Sequence, residues 1–178
     1  AASALCEIFV SVYFWRIRQD FSLVCWHYFA VFAVTPVMFL ASGWLAQRWD
    51  RLYPYRAGLL LYATYYLTLL MLRERSPDYA VHLGALLGVT WGFYWSGVNV
   101  FDFDVTEHGN RERYFGFMQA LSGIVRFAAP LVGGSLIAVA SNNLIGYYLV
   151  FAVAIFCYVS AFVLSFWMPR DVQRRPYR

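Results

Sequence analysis

FSLVCWHYFAVFAVTPVMFLASGWLA, residues 21–46, is a long apolar stretch without a single Asp, Glu, Lys or Arg. A helix needs about 20 apolar residues to cross the hydrocarbon core of a bilayer. The internal Thr35-Pro36 is compatible with this, because in a membrane protein neighbouring groups re-satisfy the carbonyl that a proline frees. The stretch therefore predicts a transmembrane helix.

Similar apolar runs recur along the whole chain, separated by short polar loops. The predicted spans cover residues 1–16, 21–46, 57–72, 79–101, 114–140 and 144–168, and a basic tail follows at 169–178. None of these runs shows the apolar–polar alternation of barrel strands. We therefore expect one all-α domain, a polytopic bundle of six transmembrane helices. Because the chain opens within apolar sequence and without Met, we expect a truncated first span.

Composition agrees with a bilayer as the main partner. The chain is 61% hydrophobic and 13% charged, whereas soluble domains carry about 25% charged residues. All fourteen basic residues are arginines, and they cluster between apolar runs rather than on one helix face, which argues against nucleic acid. The three cysteines lie in apolar runs without ligand spacing, so no metal and no cofactor is predicted.

The predicted loops divide their arginines unevenly between the two sides of the membrane. One side holds Arg48, Arg51, Arg56, Arg111, Arg113, Arg170, Arg174, Arg175 and Arg178. The other side holds Arg16, Arg18, Arg73 and Arg75. Because basic loops stay cytoplasmic, the first side, including the tail, is predicted to be cytoplasmic.

Small residues form stripes on two of the predicted helices. Gly84, Gly88 and Gly92 recur every four residues on the fourth span, and Gly116 and Gly133 belong to a similar series on the fifth. Small side chains allow helix backbones to approach closely, which is how helices associate in lipid. We expect helix packing at these positions.

Two segments match known motif patterns. Residues 43–51, GWLAQRWDR, follow a loop pattern of a glycine, three residues, an acid, a basic residue, and then a glycine with further basic residues. Gly43, Arg48 and Arg51 match this pattern. Gln47 stands where the acid is usual, and Asp50 stands where the second glycine is usual. In the fifth span, Gly116, Pro130 and Gly133 follow a spaced-glycine series that ends in Gly-Pro-x-x-Gly. The loop between the fourth and fifth spans adds an acidic end at Asp104 and a basic entry at Arg111.

In this order, these segments resemble the N-terminal half of the major facilitator superfamily (MFS). The resemblance implies a fold of twelve helices in two halves, each half made of two inverted three-helix repeats. It also implies secondary transport of a small molecule by alternating access, coupled to protons, and the antiporter-like series implies efflux. The C-terminal six-helix half would be the chain's partner, and the bacterial plasma membrane its location.

Two charged side chains lie inside predicted spans. At 1.5 Å per residue, Glu7 lies roughly 13 Å from Arg16 and Arg126 roughly 18 Å from Tyr114, so both are near the bilayer midplane. Intramembrane charges are costly and are usually functional or paired. One hypothesis is a Glu7–Arg126 pair that binds substrate or exchanges protons. The other is a structural ion pair that joins two helices.

Further candidates lie on the fourth span and at the loops. Trp91, Trp95 and Asn99 could line a substrate cavity, with packing or lipid contact as the alternative. Asp104 with Arg48 or Arg51 could form a cytoplasmic gating latch, and Asp50 and Arg111 belong to the same loops; solvated loop charge is the alternative. His27 and His82 are predicted to lie at the membrane interface.

Two other classes of function compete with a transporter. The sequence contains neither a glycine-rich phosphate loop nor a cluster of catalytic side chains within the spans, so we do not expect an enzyme. A non-transporting membrane scaffold or partner subunit remains the alternative to transport.

Overall fold

The structure is a computed structural model, and it describes residues 2–48, 50, 52–106, 110–139 and 143–167. The described residues form an all-α bundle. Its helices are α1 (Ala2–Arg18), α2 (Phe21–Arg48), α3 (Tyr53–Leu72), α4 (Ala80–Val105), α5 (Arg111–Val139) and α6 (Asn143–Leu164). Two short 3₁₀ helices cover Arg73–Tyr79 and Ser165–Trp167. The basic tail at 169–178 lies outside the described residues.

By length and composition, three of the described helices are sufficiently long and apolar to cross a membrane. They are Phe21–Arg48, Arg111–Ala138 and Leu144–Trp167. α3 and α4 bury many side chains between their neighbours, among them Tyr62, Tyr65 and Tyr66, and such helices need less apolar surface toward lipid. The structure thus establishes an apolar helical bundle, and the number of crossings stays a prediction.

Tight connections join the helices at the end of the bundle that holds Arg18, here called the Arg18 end. Between α1 and α2, Gln19 has a φ of 51°, and the Asp20 carboxylate accepts the backbone N–H of Ser22 at 2.9 Å and its hydroxyl at 2.7 Å. These donors hold the pKa of the Asp20 carboxyl below its usual value and cap the start of α2.

The connection after α3 differs from the predicted irregular loop. Arg73 has a φ of 46°, and its N–H donates to the Leu69 carbonyl, which ends α3. The chain then continues as the 3₁₀ helix Arg73–Tyr79, in which the Ser76 hydroxyl donates to the Arg73 carbonyl at 2.7 Å. The Arg18 side chain forms an ion pair with Asp78 and so fastens α1 to this segment.

The helices pack in a pattern that repeats between the two halves of the chain. The main contacts pair α2 with α4, α3 with α4 and α3 with α6, and also α1 with α5, α1 with α6 and α5 with α6. Exchanging α1, α2 and α3 for α4, α5 and α6 converts this set of pairs into itself, but the counterparts differ in size. The contacts of α1 with α5 and α6 are much smaller than those of α4 with α2 and α3, and α2 with α3 is smaller than α5 with α6. Such an exchange is what two structurally equivalent three-helix units would give.

α2 and α4 form the most extensive contact between described helices. A Cβ atom on Gly88 would come within 2.7 Å of the Val31 carbonyl oxygen, and one on Gly92 within 2.5 Å of the Met38 Cβ. A Cβ on Gly84 would collide with the carbonyl oxygen of His27. The glycines therefore permit an approach of two backbones that any larger residue would prevent.

Hydroxyl groups bridge the same contact. Thr35 donates to the Val31 carbonyl at 2.7 Å and lies 3.4 Å from the Gly88 carbonyl, while Ser42 lies 3.2 Å from the Gly92 carbonyl. α2 continues through Pro36 without a break.

Candidate functional site

Glu7 is at the centre of the candidate site. It lies on α1, half-buried, three residues before the buried Val10. Its carboxylate interacts electrostatically with Arg126 on α5, Tyr62 on α3 and Tyr94 on α4. One acidic side chain is thereby within electrostatic range of polar groups from three other helices.

Glu7 and Arg126 do not form a direct ion pair. Arg126 is exposed on α5, and its guanidinium acts on Glu7 through a longer-range Coulombic attraction. The packing of α1 against α5 explains why the two charges are on neighbouring helices: a Cβ on Gly133 would collide with the Phe9 ring.

The aromatic candidates on α4 have separate environments. Trp91 packs edge-on against Phe32 of α2 with 6.0 Å between ring centroids, and its buried indole N–H lacks a hydrogen-bond partner. Trp95 is 42% exposed and contacts the Tyr94 ring, and Asn99 is exposed. Trp91 therefore faces α2, whereas Tyr94, beside it in sequence, is the α4 aromatic that lies within electrostatic range of Glu7.

Two of the predicted gating charges, at the opposite end of the bundle (the Arg56 end), contact described residues nearby. The Arg48 guanidinium stacks 4.2 Å from the Trp44 ring centroid. Asp50 lies 3.7 Å from the Arg56 guanidinium. Arg51 and the side chain of Asp104 lie outside the described residues, so the latch that includes them stays a prediction.

A second polar contact joins α4 to α5. The Arg111 side chain donates to the Thr106 hydroxyl at 3.2 Å and lies over the Phe103 ring at 4.8 Å. The Tyr114 hydroxyl donates to Asp102 at 2.8 Å. Arg111 therefore fastens the start of α5 to the end of α4.

The remaining predicted positions differ in whether other parts of the structure lie next to them. Gly43 lies at ordinary contact distance, 3.8 Å for an added Cβ, from the Ser96 hydroxyl. A Cβ on Gly116 would meet no described atom within 4 Å. Pro130 is half-buried within α5. Gly133 thus borders α1, whereas Gly116 borders no described atom at this distance.

Three residues of the polar framework were not identified from the sequence. The interface prediction for His27 is wrong: its side chain is 1% exposed, and its Nδ1 lies 2.9 Å from the Ala80 carbonyl oxygen. Arg56 was counted as a loop charge, yet it donates to the Ser165 carbonyl at 3.1 Å and lies over the Phe166 ring at 4.6 Å. Asp102 carried no distinguishing motif.

Comparison with known proteins decides the family. The family model described as Major Facilitator Superfamily matches residues 2–177. The chain belongs to the major facilitator superfamily. MFS proteins are integral membrane transporters rather than enzymes, so membership confirms the resemblance drawn from the motifs and the expectation of a membrane protein that is not an enzyme.

Two relatives extend the comparison without supplying an activity, and the chain spans less than two thirds of the length of each. The chain is 34% identical over 167 residues to "Uncharacterized protein YqgE" of Bacillus subtilis (strain 168), which covers 94% of this chain and 39% of that protein. It is 34% identical over 135 residues to "Uncharacterized protein in sodM 3'region" of Geobacillus stearothermophilus, covering 76% of this chain and 63% of that protein. No solved structure matches the chain.

Proposed function

We propose that this chain is the N-terminal half of a proton-coupled secondary transporter that moves a small molecule by alternating access. The observation that carries the proposal is the position of Glu7, an intramembrane carboxylate within electrostatic range of groups on α3, α4 and α5. An intramembrane acid surrounded by several helices is typical of proton relays and substrate sites.

In this proposal, all six α-helices cross the membrane as two inverted three-helix repeats. The helix contacts support the repeats, because the same main pairs of helices meet when α1–α3 are exchanged for α4–α6. A second six-helix half would pack on the exposed apolar faces of α2 and α5, where Phe29 is 64%, Leu40 75% and Phe127 76% exposed. We place the protein in the bacterial plasma membrane with its tail in the cytoplasm, following the arginine distribution.

The mechanism follows from competition for Arg126. When Glu7 is ionised, it attracts the Arg126 guanidinium across the space between α1 and α5. Protonation of Glu7 would remove that attraction and release Arg126 to an anionic or hydrogen-bonding group of the substrate. Arg126 would thus interact with Glu7 when Glu7 is ionised and with the substrate when Glu7 is protonated. Proton binding and substrate binding would therefore be coupled, which is what efflux in exchange for protons requires.

A scaffold without transport activity is the competing class. A purely structural Glu7–Arg126 interaction would favour it, but such a role is best served by a direct ion pair, and these two side chains do not form one. The polar residues of α4, Trp91 and Asn99, would then be packing positions and not substrate contacts. Flux separates the two classes.

The test uses everted membrane vesicles from cells that produce the intact protein. A proton gradient is established and followed with acridine orange, and a panel of small lipophilic cations and anions is added. We expect at least one compound to dissipate the gradient with the wild type, and Glu7→Gln to lose the response at least tenfold, because glutamine cannot exchange the proton. Glu7→Asp should retain part of the response.

The matched control is Glu112→Gln, which changes an exposed acid in the first turn of α5. It should respond as the wild type does. An unchanged response in Glu7→Gln would overturn proton coupling at this residue. A wild type that responds to no compound in the panel, while folded and inserted, would favour the scaffold.

A further inference from the structure

A cavity at the Arg18 end is separate from the Glu7 site. Its volume is about 570 Å³, and it lies where the end of α3 meets the start of α6. The residues that line it are Met71, Leu72, Arg73, Glu74, Arg75, Leu144, Ile145 and Tyr148. Charged side chains from the 3₁₀ helix thus meet apolar side chains from two helices in one cavity.

The charges of the cavity favour a ligand with one negative charge. Arg73, Glu74 and Arg75 are all exposed, and together they carry a formal charge of +1. A phosphodiester carries a single negative charge at neutral pH, and arginine is the residue best suited to bind phosphate oxygens by two N–H groups. The Tyr148 hydroxyl group adds a further possible donor.

Backbone geometry supports a built site at Arg73. Its φ of 46° is in the left-handed region, which glycine occupies without cost and other residues rarely adopt. An arginine at this position keeps a charged side chain at the mouth of the cavity, at a cost in backbone energy. Residues held in such conformations are concentrated at ligand-binding positions.

An apolar surface continues from the cavity along α3 and α6. Met71 is 77% and Ile145 48% exposed, and both line the cavity. One turn away on the same helix faces, Leu67 is 49% and Leu149 47% exposed. A ligand with a phosphodiester at one end and acyl chains at the other matches both parts of the surface.

We propose that this cavity binds the headgroup of a membrane phospholipid. Arg73 and Arg75 contact the phosphodiester, and the acyl chains lie along the apolar rows of α3 and α6. The ligand is a lipid rather than a free phosphate ester, because a free ester has no acyl chains to cover the exposed apolar side chains of α3 and α6. The site is independent of Glu7 and of whether the protein transports.

The test measures lipid binding to the full chain in detergent by native mass spectrometry. Phosphatidylglycerol is titrated into the wild type and into the double variant Arg73→Gln/Arg75→Gln. We expect the double variant to lose at least tenfold in affinity, since each charge-assisted contact is worth about a factor of ten. Arg16→Gln, which removes an exposed arginine at the same end but outside the cavity, should bind as the wild type does.

Two further arms separate the possible sources of the phosphate. Diacylglycerol, which lacks the phosphodiester, should bind the wild type at least tenfold more weakly than phosphatidylglycerol. Inorganic phosphate at equal concentration should not displace the lipid. Equal binding of diacylglycerol, displacement by phosphate, or unchanged binding in the double variant would each overturn the proposal.

Hydrogen exchange on the wild type keeps the proposal falsifiable if the double variant fails to fold. Phosphatidylglycerol, compared with diacylglycerol, should slow amide exchange in residues 71–75 and 144–148. Protection confined to other segments would contradict the site.

Discussion

His27 joins three elements of the bundle through one buried ring. Its Nδ1 is within hydrogen-bond distance of the Ala80 carbonyl oxygen at 2.9 Å, and its ring packs edge-on against Phe14 and Tyr28 with centroids 5.2 Å and 5.4 Å away. Its Nε2 lies 3.5 Å from the Tyr65 hydroxyl. A buried polar ring with a hydrogen-bond partner on each nitrogen is a fixed point between α2, α3 and α4.

We predict that His27→Ala lowers the free energy of unfolding by about 2–4 kcal/mol, because it opens a cavity and leaves the Ala80 carbonyl with one partner fewer. Thermal or denaturant unfolding in detergent measures the change. His82→Ala is the matched control, since His82 is exposed on α4, and it should shift stability by less than about 0.5 kcal/mol. Equal effects of the two substitutions would contradict the role of His27.

At the residue scale, the charged side chains within apolar runs could be identified from the sequence, but most contact partners could not. Counting residues predicts Glu7 and Arg126 near the midplane, and the two side chains interact electrostatically. The distance between them depends on how α1 packs on α5, which no local pattern specifies. For the same reason Asp50 could not be assigned to Arg56, and His27 could not be assigned to the Ala80 carbonyl.

At the scale of the helices, the contact between α2 and α4 depends on the absence of side chains. Gly84 faces the backbone of His27, so that a single added methyl group would have to displace the whole of α2. Gly123 on α5 is also a helical glycine, but an added Cβ there would meet no described atom within 4 Å. An alanine at Gly123 therefore tests helix propensity alone, whereas an alanine at Gly84 also tests the packing of α4 against α2.

We predict opposite signs for the same substitution at these two glycines. Gly84→Ala should lower the free energy of unfolding by about 1–3 kcal/mol, because overpacking displaces α2. Gly123→Ala should leave it unchanged or raise it by up to about 1 kcal/mol, because alanine favours the helix. Unfolding in detergent measures both. A stable Gly84→Ala variant would show that α2 and α4 are not held at this distance.

The sequence reveals close contacts when glycines recur and hides them when they occur alone. Four-residue spacing marks Gly84, Gly88 and Gly92 as one helix face. Gly58 is the single glycine of α3, and Gly97 falls outside the four-residue series of α4. A Cβ on Gly58 would nevertheless come within 2.6 Å of the Tyr94 Cα, and one on Gly97 would collide with the Tyr55 backbone. These two contacts depend on the crossing of α3 with α4, a tertiary property.

At the scale of the whole molecule, helix contacts and helix hydropathy give different impressions of the number of crossings. The same pairs of helices meet when α1–α3 are exchanged for α4–α6, although the contacts differ in size, whereas hydropathy identifies α2, α5 and α6 as candidate spans. The two are compatible if α3 and α4 are inner helices, because neighbours and not lipid then cover much of their surface. A hydropathy criterion therefore misses such helices. The number of crossings can be decided by finding the side of the membrane on which each helix end lies.

Sidedness can be measured with single cysteines. In a background in which Cys6, Cys25 and Cys157 are serine, cysteine replaces Gln19, Gln47, Glu74 or Asn110 in turn, all of them at helix ends. Intact cells are treated with a membrane-impermeant maleimide, and opened membranes serve as the control for reactivity. Six crossings with the arginine-rich side inside predict labelling at positions 19 and 74, and protection at 47 and 110.

Position 74 decides between the two arrangements. If only α2, α5 and α6 crossed the membrane, α3 and α4 would return to the side of Gln47, and Glu74 would share its protection. If α3 and α4 also cross, Glu74 lies on the side of Gln19. Labelling at 19 together with protection at 74 in intact cells, with both reactive in opened membranes, would therefore rule out six crossings and, with them, the two inverted repeats.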